Sequence, residues 1–434
     1  MELTIIFLFI FTLICIENIR HSIYAVVFLM PLYLLRFSIF GIPTTVLEIM
    51  IYVLFLVWIF KKILKQYHSI YYDTVHLNRN NKMLLVGISL LFLGLTISTS
   101  NSSDLRTSLG IFKGWFFDPF LFFIVFISVI KKEKHLIISL KSWLASGVVV
   151  SLISIFYLLN NNLTFDGRLK AFFLSPNHLA MYLAPAFLIG LFFLLNKKKV
   201  SSIKYLVLSI SLIIILIPLY FTYSYGAFLG IFVAIIYLFY KNNLSFSQRW
   251  KSIATINIKY SIFLIIIFAS FIFITSNRFN QIINSENRSS FHSRLMVWNA
   301  SVEIIKDNPF FGIGPGTFQD AYLLYSEKFE KPYLEWAVPQ PHNIFLAFYL
   351  QTGIIGFAGF ILILLWFFNR RRDGDLSRLD NKDAINQDAI NCVSTIMIYI
   401  LIHGLVDTTY WKNDLAFMLW LIIGMMIVSK KINK

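Results

Sequence analysis

Charge is scarce in this chain. Only 14% of its 434 residues are Asp, Glu, Lys or Arg, where soluble domains carry about a quarter. Acidic side chains are the scarcer kind, 22 against 38 basic ones. There are two cysteines, Cys15 and Cys392, both in or beside apolar runs; neither a disulfide framework nor a cysteine metal cluster is expected. No glycine-rich loop is followed by Lys-Ser/Thr, so a nucleotide phosphate has no seat. The first residues lack a basic leader and a small-residue cleavage site, and read as an apolar segment that is kept.

What the chain has is hydrophobic length. Apolar residues make up 58% of it and the mean hydropathy is +0.72. A helix needs roughly 20 apolar residues to cross about 30 Å of hydrocarbon. Stretches of that kind fall at 43–60, 83–98, 114–130, 136–159, 177–195, 203–220, 225–240, 260–276, 342–367, 391–407 and 414–429. Two shorter ones, 3–16 and 19–37, are interrupted by Glu17, Asn18 and Arg20. The expected fold is all-α, a polytopic transmembrane helix bundle of about 12 or 13 spans with one large outer loop containing short helices. Its parts are the N-terminal helices over 1–276, the loop over 277–341 and the C-terminal helices over 342–434.

The net charge of +16 is not spread as on a nucleic-acid-binding face. It gathers between spans, at Lys61-Lys62, Lys131-Lys132, Lys197 to Lys199, Arg249 and Lys251, Arg370 to Arg372, and Lys430-Lys431. Alternate threading puts these clusters on one side, which the positive-inside rule assigns to the cytoplasm. The C-terminus is then inside and 277–341 outside, as in a multi-pass protein of the cytoplasmic membrane.

The outer loop is too long to be a plain connection. Leu295, Trp298, Val302 and Ile305 recur at helical spacing and Asn308-Pro309 ends the run, which predicts an amphipathic helix on or near the membrane surface. Gly312-Ile313-Gly314-Pro315-Gly316 predicts a tight turn. Arg106, Lys113, Arg168, Lys170, Arg288 and Arg294 fall on the same side and together would make a cationic funnel; each alone equally suits snorkelling to lipid phosphate. Arginine is the better phosphate ligand, because its planar fork bonds two oxygens at once. Where the loop re-enters the membrane, Pro341-His342-Asn343 places His342 in the first turn of a helix, where the dipole favours a neutral ring and an anionic ligand. A base beside a phosphate site suits group transfer; simple capping by His342 and Asn343 is the other reading.

Arg294, Trp298, Asn308-Pro309, Gly312-Ile313-Gly314, Pro341-His342-Asn343 and Gly353-Ile354-Ile355-Gly356 together resemble the O-antigen ligase and polymerase superfamily of bacterial membrane glycosyltransferases. Upstream, Gly167-Arg168 and Ser175-Pro176-Asn177-His178-Leu179-Ala180 look like its arginine and Pro-Asn-x-x-Ala elements. Tyr223-Ser224-Tyr225-Gly226-Ala227 resembles its Ser-Arg-Gly element, and His403-Gly404-Leu405-Val406-Asp407 also looks typical. The resemblance covers about 106 to 430. It implies transfer of a glycan from undecaprenyl pyrophosphate to an acceptor hydroxyl, such as a glycan or a lipid A-core-like molecule, outside the cytoplasmic membrane. It implies no nucleotide sugar, no cofactor and no obligatory metal. By the same resemblance His342 activates the acceptor, and Arg168 and Arg294 hold the pyrophosphate. Tyr225 stands where many members have arginine, so Lys170, Arg288 or Lys113 compensates for that cation or its role is absent.

Other readings stay open beside this one. Asn177 and Asn343 support the site or cap helices, and Tyr223 and Tyr225 are ordinary interface aromatics. His403 and Asp407, four apart on one helix face, are expected to be structural, paired with each other or with neighbouring helices. Trp411, Lys412 and Asp414 have no role assigned, and Glu48 within a span has no explanation. The alternative function is a transporter or flippase of a lipid-linked glycan or small solute. Against it, the chain shows no internal repeat and no paired charges at mid-span.

Overall fold

The computed structural model describes residues 2–39, 41–64, 79–195, 202–243, 290–326, 337–369 and 381–432. The expected span at 260–276 lies outside them, as does Arg288. The described chain is helical almost throughout: α1 Glu2–Glu17, α2 Ile19–Phe28, α3 Val46–Ile63, α4 Arg79–Ser100, α5 Leu105–Ile111, α6 Asp118–Val129, α7 Glu133–Leu159, α8 Pro176–Leu195, α9 Ser202–Phe221, α10 Tyr225–Asn243, α11 Ser290–Asp307, α12 Phe318–Ser326, α13 Ile344–Phe368, α14 Asn381–Gly404 and α15 Asn413–Ile432. Among the described residues, seven helices are long and apolar enough to cross a membrane, and four shorter apolar ones accompany them. The protein is an all-α, multi-pass membrane bundle.

Burial orders the bundle. The apolar windows of α15 and α8 are 89% and 83% buried, which makes them central, while that of α9 is only 22% buried and presents its apolar side chains outward. Lipid gives no hydrophobic drive for helices to associate, so close backbone approach must do more of the work. Gly87, Gly94, Gly356 and Gly359 supply it between α4 and α13: a Cβ on Gly94 would stand 2.1 Å from the Gly356 nitrogen. Gly226 and Gly230 do the same for α10 against His403 and Tyr399 of α14.

Three expectations are corrected. The stretch 19–37 is no single span, because α2 ends at Phe28 and a 3-10 turn begins around Pro31. A two-stranded antiparallel hairpin, Arg36–Ile39 with Ile42–Thr45, then leads into α3. The stretch 391–407 is helical only to Gly404. In α11 the predicted stripe is displaced: Leu295 and Val302 are exposed, and Val297, Ala300 and Ile304 form the buried face. That face packs with Phe318, Tyr322, Val338 and Leu350 into a small core of its own over the end of α13. A surface helix shows only its apolar residues in sequence, not which neighbour will cover them.

Glu48 now has an explanation. It is the third residue of α3 and closes a capping box with Thr45, which satisfies backbone donors at a helix start. Its carboxylate also meets Lys113 at 2.5 Å and accepts from Asn413 at 2.9 Å. Lys113 sits in a π-helical turn, Phe112–Phe117, between α5 and α6, and also reaches Asp118. It is therefore committed to carboxylates and does not replace the missing arginine.

Candidate active site at the loop end of the bundle

The site gathers at one end of the bundle, where three connections and the start of α13 converge. Asn343, not His342, opens α13: its side chain accepts from the backbone N–H groups of Phe345 and Leu346. His342 thus precedes the helix, outside its first turn, with φ at +47°. A left-handed backbone is uncommon for a residue with a Cβ and costs of order 1–3 kcal/mol. Trp298 of α11 holds the strained residue by donating its indole N–H to the His342 carbonyl at 3.3 Å. Asn343 in turn donates to the Leu405 carbonyl at 2.9 Å, which ties the start of α13 to the connection between α14 and α15.

That connection, 405–412, carries Asp407. The His342 Nδ1 lies 3.2 Å from Asp407 Oδ1, which also accepts from the Thr408 N–H at 2.8 Å. Asp407 Oδ2 accepts from the Asn177 side-chain amide at 2.7 Å. Each contact uses the carboxylate as an acceptor, so Nδ1 carries the imidazole hydrogen and Nε2 carries the lone pair. Burial pushes the Asp407 carboxyl up, but the hydrogen bond from His342, with the positive charge of Arg294 nearby, outweighs it and holds the group well below the usual carboxylate range. A half-exposed base oriented by a buried anion is the arrangement that steadies an imidazolium once it has taken a proton.

Asn177 continues the chain of contacts. Its side-chain oxygen accepts from Arg168 Nη2 at 2.5 Å, while Arg168 Nε donates to the Thr222 carbonyl at 2.8 Å. Two contacts fix the plane of the guanidinium and leave other N–H groups for a ligand. Burial lowers the Arg168 pKa; Asp166 opposes that, and the charge of Arg294 lowers it further. Arg294 thus acts electrostatically on both Arg168 and Asp407, and among the described residues it makes no ion pair of its own. Tyr225 acts on Arg168 as well, so the position that has lost a cation stands beside the remaining one.

Of the residues singled out in the sequence, Arg168, Asn177, Asp407 and His342 form one hydrogen-bonded chain, with Arg294 and Tyr225 beside it and Asn343 bracing it. Lys170 lies half-buried in the same connection as Arg168 but outside that chain. Arg106 is exposed at the start of α5. Of the two pairings open to Asp407 and His403, with each other or with neighbours, the structure shows the second for Asp407. Asp407 lies past the end of α14 and takes His342 instead, and His403 bonds the Tyr399 hydroxyl at 2.9 Å. Sequence reasoning also passed over His178 and Asp414, a fully buried pair 3.0 Å apart. The signal available was scarcity: in a chain this poor in acid, two aspartates within eight residues, Asp407 and Asp414, are unusual.

The described residues include no group of three or more His, Cys, Asp or Glu side chains suited to a metal. What fold and site define is a polytopic membrane protein with a carboxylate-oriented histidine linked through Asp407 and Asn177 to Arg168, with Arg294 acting on the same carboxylate, at one end of its helices. Residues 210–361 match the model of the O-Antigen ligase family, which supports the resemblance of the chain to the O-antigen ligase and polymerase superfamily. The match spans α9 to most of α13, and so takes in Tyr225, Arg294 and His342 but not Arg168, Asn177 or Asp407. No curated protein matches the chain.

Proposed function

We propose that this protein transfers a glycan from undecaprenyl pyrophosphate to an acceptor hydroxyl on the outer side of the cytoplasmic membrane, with His342 as general base. The observation that carries the reading is the run Arg168–Asn177–Asp407–His342, which links an anion-binding guanidinium to an oriented imidazole through two short contacts and one at 3.2 Å. The family match supports the class of reaction; the placement of basic clusters at the opposite helix ends, as at Lys61 and Lys62 in the last turn of α3, supports the orientation.

In this reading Arg168 and Arg294 bind the diphosphate at the water–lipid boundary. Nε2 of His342 takes the acceptor's proton as its oxygen attacks the anomeric carbon. The bond from that carbon to the phosphate oxygen breaks, its electron pair leaves on the diphosphate, and configuration inverts. The arginines stabilise the charge that builds there, and Asp407 stabilises the imidazolium. Lys170, Arg288 and Tyr225 are supporting candidates for the diphosphate, with Asn177 and Asn343 as braces.

The product is a lengthened repeat chain if the acceptor is another lipid-linked glycan, or a capped lipid A-core-like molecule if it is not. Deleting the gene and separating the cell's glycans on a gel tests both. Loss of long chains with single repeats retained identifies a polymerase, and accumulated lipid-linked polymer identifies a ligase. Restoration of the wild-type ladder by a His342→Ala copy as fully as by the wild-type gene would remove the proposed role of His342.

A further inference from the structure

His178 follows Asn177 in the first turn of α8 and points to a different acid. It is 2% exposed, and its Nε2 lies 3.0 and 3.1 Å from the two oxygens of Asp414, which is fully buried in the first turn of α15. The Tyr33 hydroxyl stands 3.3 Å from the same nitrogen, and Phe173 packs edge-on against the ring. The other ring nitrogen, Nδ1, is buried and has no hydrogen-bond partner among the described residues. An apolar side chain would fill this place without that cost, so the Nε2 contact is what the histidine contributes.

Consecutive residues of α8 thus grip both sides of the connection 405–412: Asn177 holds Asp407 and His178 holds Asp414. The start of α15 is held from its other side as well. Asn413 donates to Glu48 and accepts from the Trp115 indole at 3.1 Å, and the Tyr410 hydroxyl donates to the Trp115 carbonyl at 2.6 Å. We infer that His178 and Asp414 are positioning residues, whose contact fixes the connection 405–412 so that Asp407 meets His342 and Asn177 together. Neither touches the reacting atoms. The kinetic part of this inference rests on the proposed transfer reaction; the structural part does not.

Amide hydrogen exchange of the full-length protein in lipid nanodiscs tests it. The reporters are the N–H groups of Leu405, Val406, Asp407 and Thr408, bonded to the Ile402 and His403 carbonyls and to Asp407 itself. His178→Ala is expected to raise exchange in 405–412 about tenfold while leaving the helical amides of α4 and α13 unchanged. His178→Gln, which places an amide N–H near the site of Nε2, is expected to restore protection. If the alanine variant does not survive purification, His178→Leu carries the same expectation, since it fills the space without a donor. In a transfer assay the alanine and leucine variants should lower kcat about 100-fold with the donor KM unchanged, the scale of a 1 Å misplacement, and His178→Gln should recover most of it. Wild-type exchange in His178→Ala or His178→Leu would overturn the inference, as would raised exchange with unchanged kcat. Absence of any transfer by the wild-type protein would instead overturn the proposed function, and the exchange result alone would decide this one.

Discussion

At the scale of single residues, the site turns on Asp407. Asp407→Asn keeps the shape but puts an amide N–H where an acceptor is needed, so His342 loses its orientation and its counter-charge. Transfer is expected to fall about 100-fold or more, the contribution of a positioned general base; steady-state kinetics of the purified variant checks this. The same group makes stability pH-dependent. Its folded pKa lies below the unfolded value of about 3.9, so it stabilises the fold fully above that value, and the contribution fades as pH falls through the folded pKa. Thermal melts from pH 7 down to pH 3 should therefore show wild-type protein losing its advantage over Asp407→Asn only at the acid end. A gap that stays constant or widens between pH 5 and pH 3 would contradict this. His342, Arg168 and Arg294 were legible in the sequence because an imidazole or guanidinium at the mouth of an apolar bundle is conspicuous. The partnership with Asp407 was not, since helical spacing points Asp407 at His403. Only the ending of α14 at Gly404 turns it toward His342.

At the scale of elements, the loop segment 310–316 is locked into a break in α13. Gly353 has φ +66° inside that helix, which opens two backbone positions. The Ile313 N–H donates to the Leu350 carbonyl at 2.7 Å and the Ile354 N–H to the Phe310 carbonyl at 3.1 Å, so loop and helix complete each other's hydrogen bonding. A Cβ on Gly353 would stand 2.5 Å from the Phe310 carbonyl oxygen, and one on Gly312 would stand 2.3 Å from that of Leu350. Gly353→Ala is expected to cost at least about 1–3 kcal/mol from the backbone conformation alone, read as a lowered midpoint of thermal unfolding in detergent. An unchanged midpoint would mean the junction carries no strain. The sequence pattern predicts a turn at 312–316 and a helix across 342–367; the turn is present, and the helix runs from Ile344 to Phe368 with its break at Gly353. Their interlocking was not legible, because a glycine inside an apolar run gives no sign of what approaches it. The same limit displaced the predicted face of α11: periodicity identifies an apolar stripe, and only the neighbouring Phe318 and Tyr322 select Val297, Ala300 and Ile304.

At the scale of the whole molecule, the bundle and its general architecture were legible from composition and span length, since lipid admits little else. The hairpin at 36–45 was not, because 19–37 has the hydrophobicity of a span and only Pro31 hints otherwise. Orientation is a separate claim and has its own test. Asn101 is exposed at the site end of α4, and Leu64 at the opposite end of α3. Cys15 and Cys392 are buried, so single cysteines can be introduced against a quiet background. A membrane-impermeant maleimide applied to intact spheroplasts should label Asn101→Cys and leave Leu64→Cys unlabelled until the membrane is opened. The reverse pattern would place the site in the cytoplasm.

The central claim is that one end of the bundle binds a lipid diphosphate with arginines and activates an acceptor with His342. The most direct measurement reconstitutes wild type, Arg294→Ala and His342→Ala in nanodiscs with a polyprenyl-diphosphate-linked glycan, and follows donor binding and transfer on the same samples. The account predicts that Arg294→Ala loses donor affinity, and that His342→Ala binds donor as wild type does but transfers nothing measurable. Transfer by His342→Ala at the wild-type rate, with donor bound normally, would contradict it.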